Sequence, residues 1–173
     1  MEIRKCTEKD VSAVGQFYDE VVKYLCDTVN YPKWTYKQYP SVGSVASMTA
    51  QASQYVCFID GKIVGAFVLN CDPQGAYEQA HWSKSIKQGR YIVCHALAIS
   101  PQKQKQGLGQ KVVEFCIKYA RDNFYEAVRL DVVPTNFPAR KLYEQCGFKY
   151  VGDADLKRGY EDIPFFSMYE LNL

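Results

Sequence analysis

The run Tyr91–Ile99, Tyr-Ile-Val-Cys-His-Ala-Leu-Ala-Ile, is apolar at almost every position. A strand that is apolar on both faces has to be covered on both, so it belongs in the middle of a layered structure. The residues after it narrow the choice further. A polar loop carries Gly107 and Gly109, and then Val112, Val113, Cys116, Ile117 and Ala120 recur at helical spacing, predicting a helix from Gly109 to Asn123. Ala127–Val133 is strand-like again. The centre of this chain is therefore a buried strand that enters a helix through a glycine-bearing loop.

Such a loop is suited to an anion. Glycine lets the backbone come close to a phosphate. The first turn of a helix presents unpaired N–H groups and the positive end of its dipole. Lys103, Lys105 and Lys111 add positive charge. Two common phosphate loops are excluded: Gln110 stands where a Walker loop needs lysine, and Val112 where a dinucleotide fingerprint needs a third glycine. An ordinary strand-to-helix connection with turn glycines stays open on these residues alone.

The loop can also be written Gln104-x-x-Gly107-x-Gly109, and downstream lies Asn136-x-x-Ala139-x-x-Leu142-Tyr143-x-x-x-Gly147-Phe148. In this order the two motifs resemble the GNAT N-acetyltransferase superfamily, over about residues 91–150. The chain departs from many members at Lys105, where a further glycine is common. This costs little if the backbone N–H groups do the cradling. Cys94-His-Ala-Leu-Ala-Ile99 is similar to the central strand of arylalkylamine N-acetyltransferases. Those enzymes often carry a second histidine two positions before the first, where Val93 stands here.

The rest of the chain fits one domain over residues 1–173. Glu2–Lys5 reads as a strand. Thr7-Glu-Lys-Asp10 reads as a variant capping box ahead of a helix ending near Asp27, with Val11, Val14, Phe17, Tyr18, Val21, Val22 and Leu25 as its apolar stripe. Tyr31–Pro40 is too rich in proline and aromatics for a regular element. Ser41 or Ser44 caps a second helix reaching about Ser53. Asp60-Gly61 joins the strands Tyr55–Ile59 and Ile63–Leu69 as a hairpin, and Asn70–Gly89 is a long connection. Ala139–Gln145 is a short helix, and Phe148–Val151 and Phe165–Leu171 close the sheet. Helices and strands alternate only in the second half. The expected fold is α/β (mixed α+β): a twisted, mostly antiparallel sheet with helices on both faces and, as the resemblance implies, a splayed central strand pair.

Net charge is +2, which does not suit a nucleic-acid binder. Seven cysteines lack CxxC spacing and only two histidines are present, so neither a zinc cluster nor a disulfide framework is expected. No signal peptide or membrane-length apolar run is visible, and the expected setting is cytoplasmic, as monomer or homodimer.

The resemblance implies acetyl-CoA as cosubstrate, no metal, and an acceptor that is a small-molecule primary amine. It assigns the pyrophosphate to Gln104, Lys105, Gln106, Gly107, Leu108, Gly109 and Gln110, the pantetheine arm to the backbone of Leu97, Ala98 and Ile99, and a further contact to Asn136. Tyr143, a phenol with a reference pKa of ~10, becomes the candidate acid for the departing thiolate and also touches the cosubstrate. His95 becomes the candidate acceptor of the amine proton, with Glu78 and Asp131 as weaker choices. Trp34, Tyr36, Tyr39 and Trp82 are candidates for the acceptor pocket, with packing as their other use. A protein or peptide acetyltransferase and a non-catalytic acyl-CoA-binding module remain alternatives.

Overall fold

A computed structural model describes residues 1–173. Seven strands and four α-helices follow one another as β1 (Glu2–Lys5), α1 (Val11–Asp27), α2 (Val42–Ala50), β2 (Gln54–Ile59), β3 (Lys62–Asn70), β4 (Tyr91–Ile99), α3 (Leu108–Asp122), β5 (Ala127–Val132), α4 (Phe137–Gln145), β6 (Lys149–Ala154) and β7 (Phe166–Asn172). One sheet has the order β1-β2-β3-β4-β5-β7-β6. Pairing is antiparallel for β1–β2, β2–β3, β5–β7 and β6–β7, and parallel for β4–β5, which are joined through α3. The expected mixed, mostly antiparallel sheet is thus present.

The chain packs as two compact units, Met1–Leu69 with His95–Val112, and Asn70–Cys94 with Val113–Leu173. In the first unit, Val14, Phe17, Tyr18 and Val21 recur every three or four residues along α1 and share a core with Val45, Val56, Ala66 and Ala98. Ahead of that helix the Asp10 carboxylate accepts bonds from the Thr7 backbone N–H and, bidentately, from the Arg4 guanidinium. The arginine holds that carboxyl far below the usual carboxylate range. Ser41 caps α2 by accepting from Ser44 N–H. Asp60 and Gly61, at φ 49° and 72°, make the tight turn between β2 and β3.

In the second unit, Tyr77, Tyr91, Val93, Ala127, Leu156, Phe166 and Met168 form the core. The long connection after β3 holds only a single 3₁₀ turn, Tyr77–Gln79. Several boundaries differ from the sequence reading: the second helix ends at Ala50 rather than about Ser53, and strands β2, β3 and β5 shift by a residue. The third helix begins at Leu108, one residue early, and ends at Asp122. The closing strands are Lys149–Ala154 and Phe166–Asn172. The fourth helix begins at Phe137, because Asn136 caps it through a bond accepted from Ala139 N–H and Pro138 is tolerated in a first turn.

Candidate active site

The first unit holds the loop and most of β4. Between Pro101 and α3 the backbone takes left-handed values at Lys105 (φ 60°) and Gly107 (φ 72°). Left-handed residues set among right-handed ones are the backbone pattern from which concave anion-binding nests are built. Gln104–Gly107 are exposed, as are Lys103 and Lys111, while Leu108 and Val112 are buried and fasten the start of the helix. The structure therefore corrects one expectation. Lys105 occupies a conformation that glycine adopts freely, so its departure from the resembled pattern carries a backbone cost, about 1–2 kcal/mol for a residue with a Cβ.

β4 is not a uniform strand. Its ladder to β5 comprises Tyr91↔Ala127, Ile92↔Val128 and Val93↔Arg129 and ends there, although β4 continues to Ile99 and β5 to Val132. Three residues past the last pair, Ala96 has φ 48°. An alanine there is uncommon in any strand. The Tyr18 hydroxyl, from α1, donates to the Ala96 carbonyl at 2.8 Å. His95 is buried beside this kink. At the far end Ser100 N–H donates to Val64 O, and β3 comes so close that a Cβ on Gly65 would lie 3.1 Å from the Ala98 carbonyl.

The aromatic segment before α2 belongs to the same unit. Asn30 fastens it by accepting from Trp34 N–H and donating to Trp34 O. Trp34 packs edge-on against Tyr18, with ring centroids 6.1 Å apart, and against Tyr39 at 6.5 Å. Tyr36 and Tyr39 are exposed. Through Tyr18 the structure thus brings Trp34 and the β4 kink to one place.

In the second unit Tyr143 lies on α4, buried, with its ring 5.9 Å from Phe148 and 6.4 Å from Tyr169. Burial raises its phenol well above the ordinary value, and the neighbouring Cys94 and Cys116 add to this. Arg140, one turn earlier, donates to Pro134 O and to the Tyr169 hydroxyl, which in turn donates to Glu144. Asn136 uses its side-chain oxygen on the helix cap, which leaves its amide N–H groups as the part able to reach a ligand.

Asp131 is occupied at both oxygens by Arg158, at 2.7 and 2.9 Å, and by the Tyr77 hydroxyl. Trp82 donates its indole N–H to Tyr77 O and covers the Arg129 guanidinium at 4.2 Å. Glu78 is exposed on the 3₁₀ turn. Sequence reasoning missed Tyr18, Arg129 and Glu170. Tyr18 lay hidden within an apolar stripe, and the other two sit in strands where charge usually marks a solvated face. None of the seven cysteines forms a disulfide, and no group of three or more His, Cys, Asp or Glu could hold a metal ion. No helix is long and apolar enough to cross a membrane.

Comparison with known proteins places this geometry. The family model "Acetyltransferase (GNAT) family" matches residues 21–148. An uncharacterized N-acetyltransferase of Archaeoglobus fulgidus is 27% identical over 151 residues, covering 83% of this chain and 89% of that one. A mycothiol acetyltransferase of Arthrobacter sp. (strain FB24) is 29% identical over 136 residues, 73% of this chain; the match spans only 39% of that longer protein. A GNAT-family acetyltransferase from Streptococcus agalactiae 2603 shares the fold with a TM-score of 0.81 at 18% identity, over 99% of this chain and 95% of that one. The left-handed loop, the interrupted central strand and the match over residues 21–148 agree: the chain belongs to the acetyltransferase (GNAT) family and, with it, to the enzymes that transfer acetyl groups.

Proposed function

We propose that this chain transfers an acetyl group from acetyl-CoA directly to the primary amine of a small molecule. The observation that carries the reading is the pair of left-handed residues Lys105 and Gly107 in an exposed loop at the start of α3. They support a nest in which the N–H groups of Gln104–Gln110 bind a pyrophosphate, while Lys103 and Lys111 supply charge. Leu97, Ala98 and Ile99 lie past the end of the β4–β5 ladder, so their backbone is suited to pair with an extended arm. Buried main-chain groups need such partners. The amide N–H groups of Asn136 would add a contact.

Acetyl-CoA supplies the acetyl group as a thioester. An alkylamine resembles lysine, with a reference pKa of ~10.4, and must shed a proton to react. His95 accepts that proton as the new bond forms and the nitrogen grows acidic; an imidazole holds it poorly from the resting ammonium. The raised phenol refines the part played by Tyr143. Its pKa lies above 10, against ~8.5 for an ordinary thiol, so full proton transfer to sulfur is uphill. Tyr143 therefore acts chiefly as a hydrogen-bond donor to the leaving sulfur. Asp131, held by Arg158 and Tyr77, is not the base.

Trp34, Tyr36 and Tyr39 wall the acceptor side, whereas Trp82 packs Arg129. Seven thiols without a disulfide suit a reducing, cytoplasmic setting. The test is thiol release from acetyl-CoA against a panel of small amines and N-terminal or lysyl peptides. Release with small amines is the expected result. Release with peptides alone would make this a protein acetyltransferase. Binding of acetyl-CoA without release would make it a binding module.

A further inference from the structure

We propose that the Tyr18 hydroxyl, backed by Gln54, is a positioning group that holds β4 in the shape needed to receive acetyl-CoA. The inference rests on the reading that the backbone after Ala96 pairs with the pantetheine arm.

Ala96 sits at φ 48°, where a Cβ is strained and only the surroundings can maintain the conformation. From α1, outside the sheet, Tyr18 donates to its carbonyl at 2.8 Å. The donor is itself held. Tyr18 is 0% exposed and its ring lies in the core with Val14, Val56 and Ala98. Gln54, 1% exposed, has its amide nitrogen 3.5 Å from the Tyr18 oxygen, 3.1 Å from Tyr55 O and 3.0 Å from Phe67 O. A polar relay therefore runs from the β2–β3 pair through α1 to the kink in β4.

A buried amide and a buried phenol are costly without partners. Here the amide supports the phenol, and the phenol bonds the carbonyl of the one left-handed residue of β4, three positions after the ladder to β5 stops. A strand continuing straight through residue 96 would present its backbone groups in regular alternation. The kink re-aims them, as a bulge does. Tyr18 also touches Trp34, so the same residue joins the cosubstrate strand to the aromatic segment, through its ring rather than its hydroxyl.

The hydroxyl and the ring can be separated experimentally. Tyr18→Phe keeps the ring on Trp34 and removes the hydroxyl, with its bonds to Ala96 and Gln54. Acetyl-CoA affinity, measured by calorimetry, should fall roughly fivefold to tenfold, the scale of one net hydrogen bond, while the acceptor KM stays within about twofold of wild type, since the Trp34 contact is kept. Ala96→Gly, added to that variant, should restore affinity to within about twofold, because glycine takes a left-handed φ unaided. Loss in the single variant without rescue in the double would mean that Tyr18 acts through packing, and would overturn the proposal. So would wild-type affinity in Tyr18→Phe.

Should Tyr18→Phe not fold, Ala96→Gly alone decides. It should raise Tm with affinity retained, and a lower Tm would overturn the proposal. Wild-type protein that fails to bind acetyl-CoA would overturn the reading of the site itself, and this inference with it.

Discussion

The two units solve the burial of polar groups in opposite ways. In the first, Gln54 and Tyr18 are neutral, and their bonds end on the main-chain carbonyls of Tyr55, Phe67 and Ala96. In the second, the buried groups are charged. Arg129 and Glu170 are 2% and 1% exposed and face each other across the β5–β7 ladder, with nitrogen and oxygen 3.9 Å apart. The Arg129 guanidinium lies between the Trp82 and Tyr91 rings, at 4.2 and 4.4 Å, and donates to Lys84 O. Glu170 accepts from Ser83 N–H. Arg158 reaches Asp131, Pro73 O and Gln74 O in the same manner. These ions fasten the connection between β3 and β4, which has almost no regular hydrogen bonding of its own. Neutral groups set the shape of a strand; ions tie down a segment that no ladder holds.

The comparison breaks most readily at Arg129. Arg129→Met leaves Glu170 buried without its counter-ion and should cost about 3–5 kcal/mol. Gln54→Leu, which removes a neutral partner, should cost only about 1–2 kcal/mol. Urea unfolding of both variants measures the difference, and equal losses would erase the distinction. Arg129→Met combined with Glu170→Gln should recover part of the loss, because the stranded charge is then gone.

Next in size is Tyr143→Phe. We expect kcat to drop about 10–100-fold, the low end of acid catalysis, for a donor that does not release its proton fully. Acetyl-CoA affinity should barely change. The sign of the pH effect follows from the raised phenol. The protonated form persists through neutral pH and past 10, so Tyr143 contributes no falling limb to the rate below that pH. A falling limb near neutral pH that disappears in the phenylalanine variant would contradict this. The smallest effect belongs to the loop: Lys105→Gly should stabilise the protein by about 1 kcal/mol or less, since relief of the left-handed strain exceeds the added chain entropy. Thermal melting would register it as a small rise in Tm, and a fall would show that Lys105 makes a contact worth more than its strain.

Much of this was legible in the residues. The stripe of α1, the Asp60-Gly61 turn and the bounds of β4 follow from local periodicity and turn chemistry, each decided by neighbours in sequence. The loop around Gly107 was legible because glycine declares its backbone. Lys105 was not, because a lysine in a left-handed position looks like any other lysine. Asn136 was read in the sequence only as a ligand contact, on the strength of the resemblance. The cap is visible in the structure, since it depends on Ala139 N–H lying within reach.

What the sequence determined by itself was the order of elements, the buried central strand, the glycine-bearing loop that follows it and the family motifs around Tyr143. What only the tertiary structure decided was the kink at Ala96, the cover over Arg129 and the capture of Asp131 by Arg158. The reason is range. Patterns three or four residues apart fix helices and turns. Tyr18 meets Ala96 across 78 residues, Arg158 meets Gln74 across 84, and Ser83 meets Glu170 across 87. Contacts at such separations depend on how the whole sheet closes, and no local pattern encodes them.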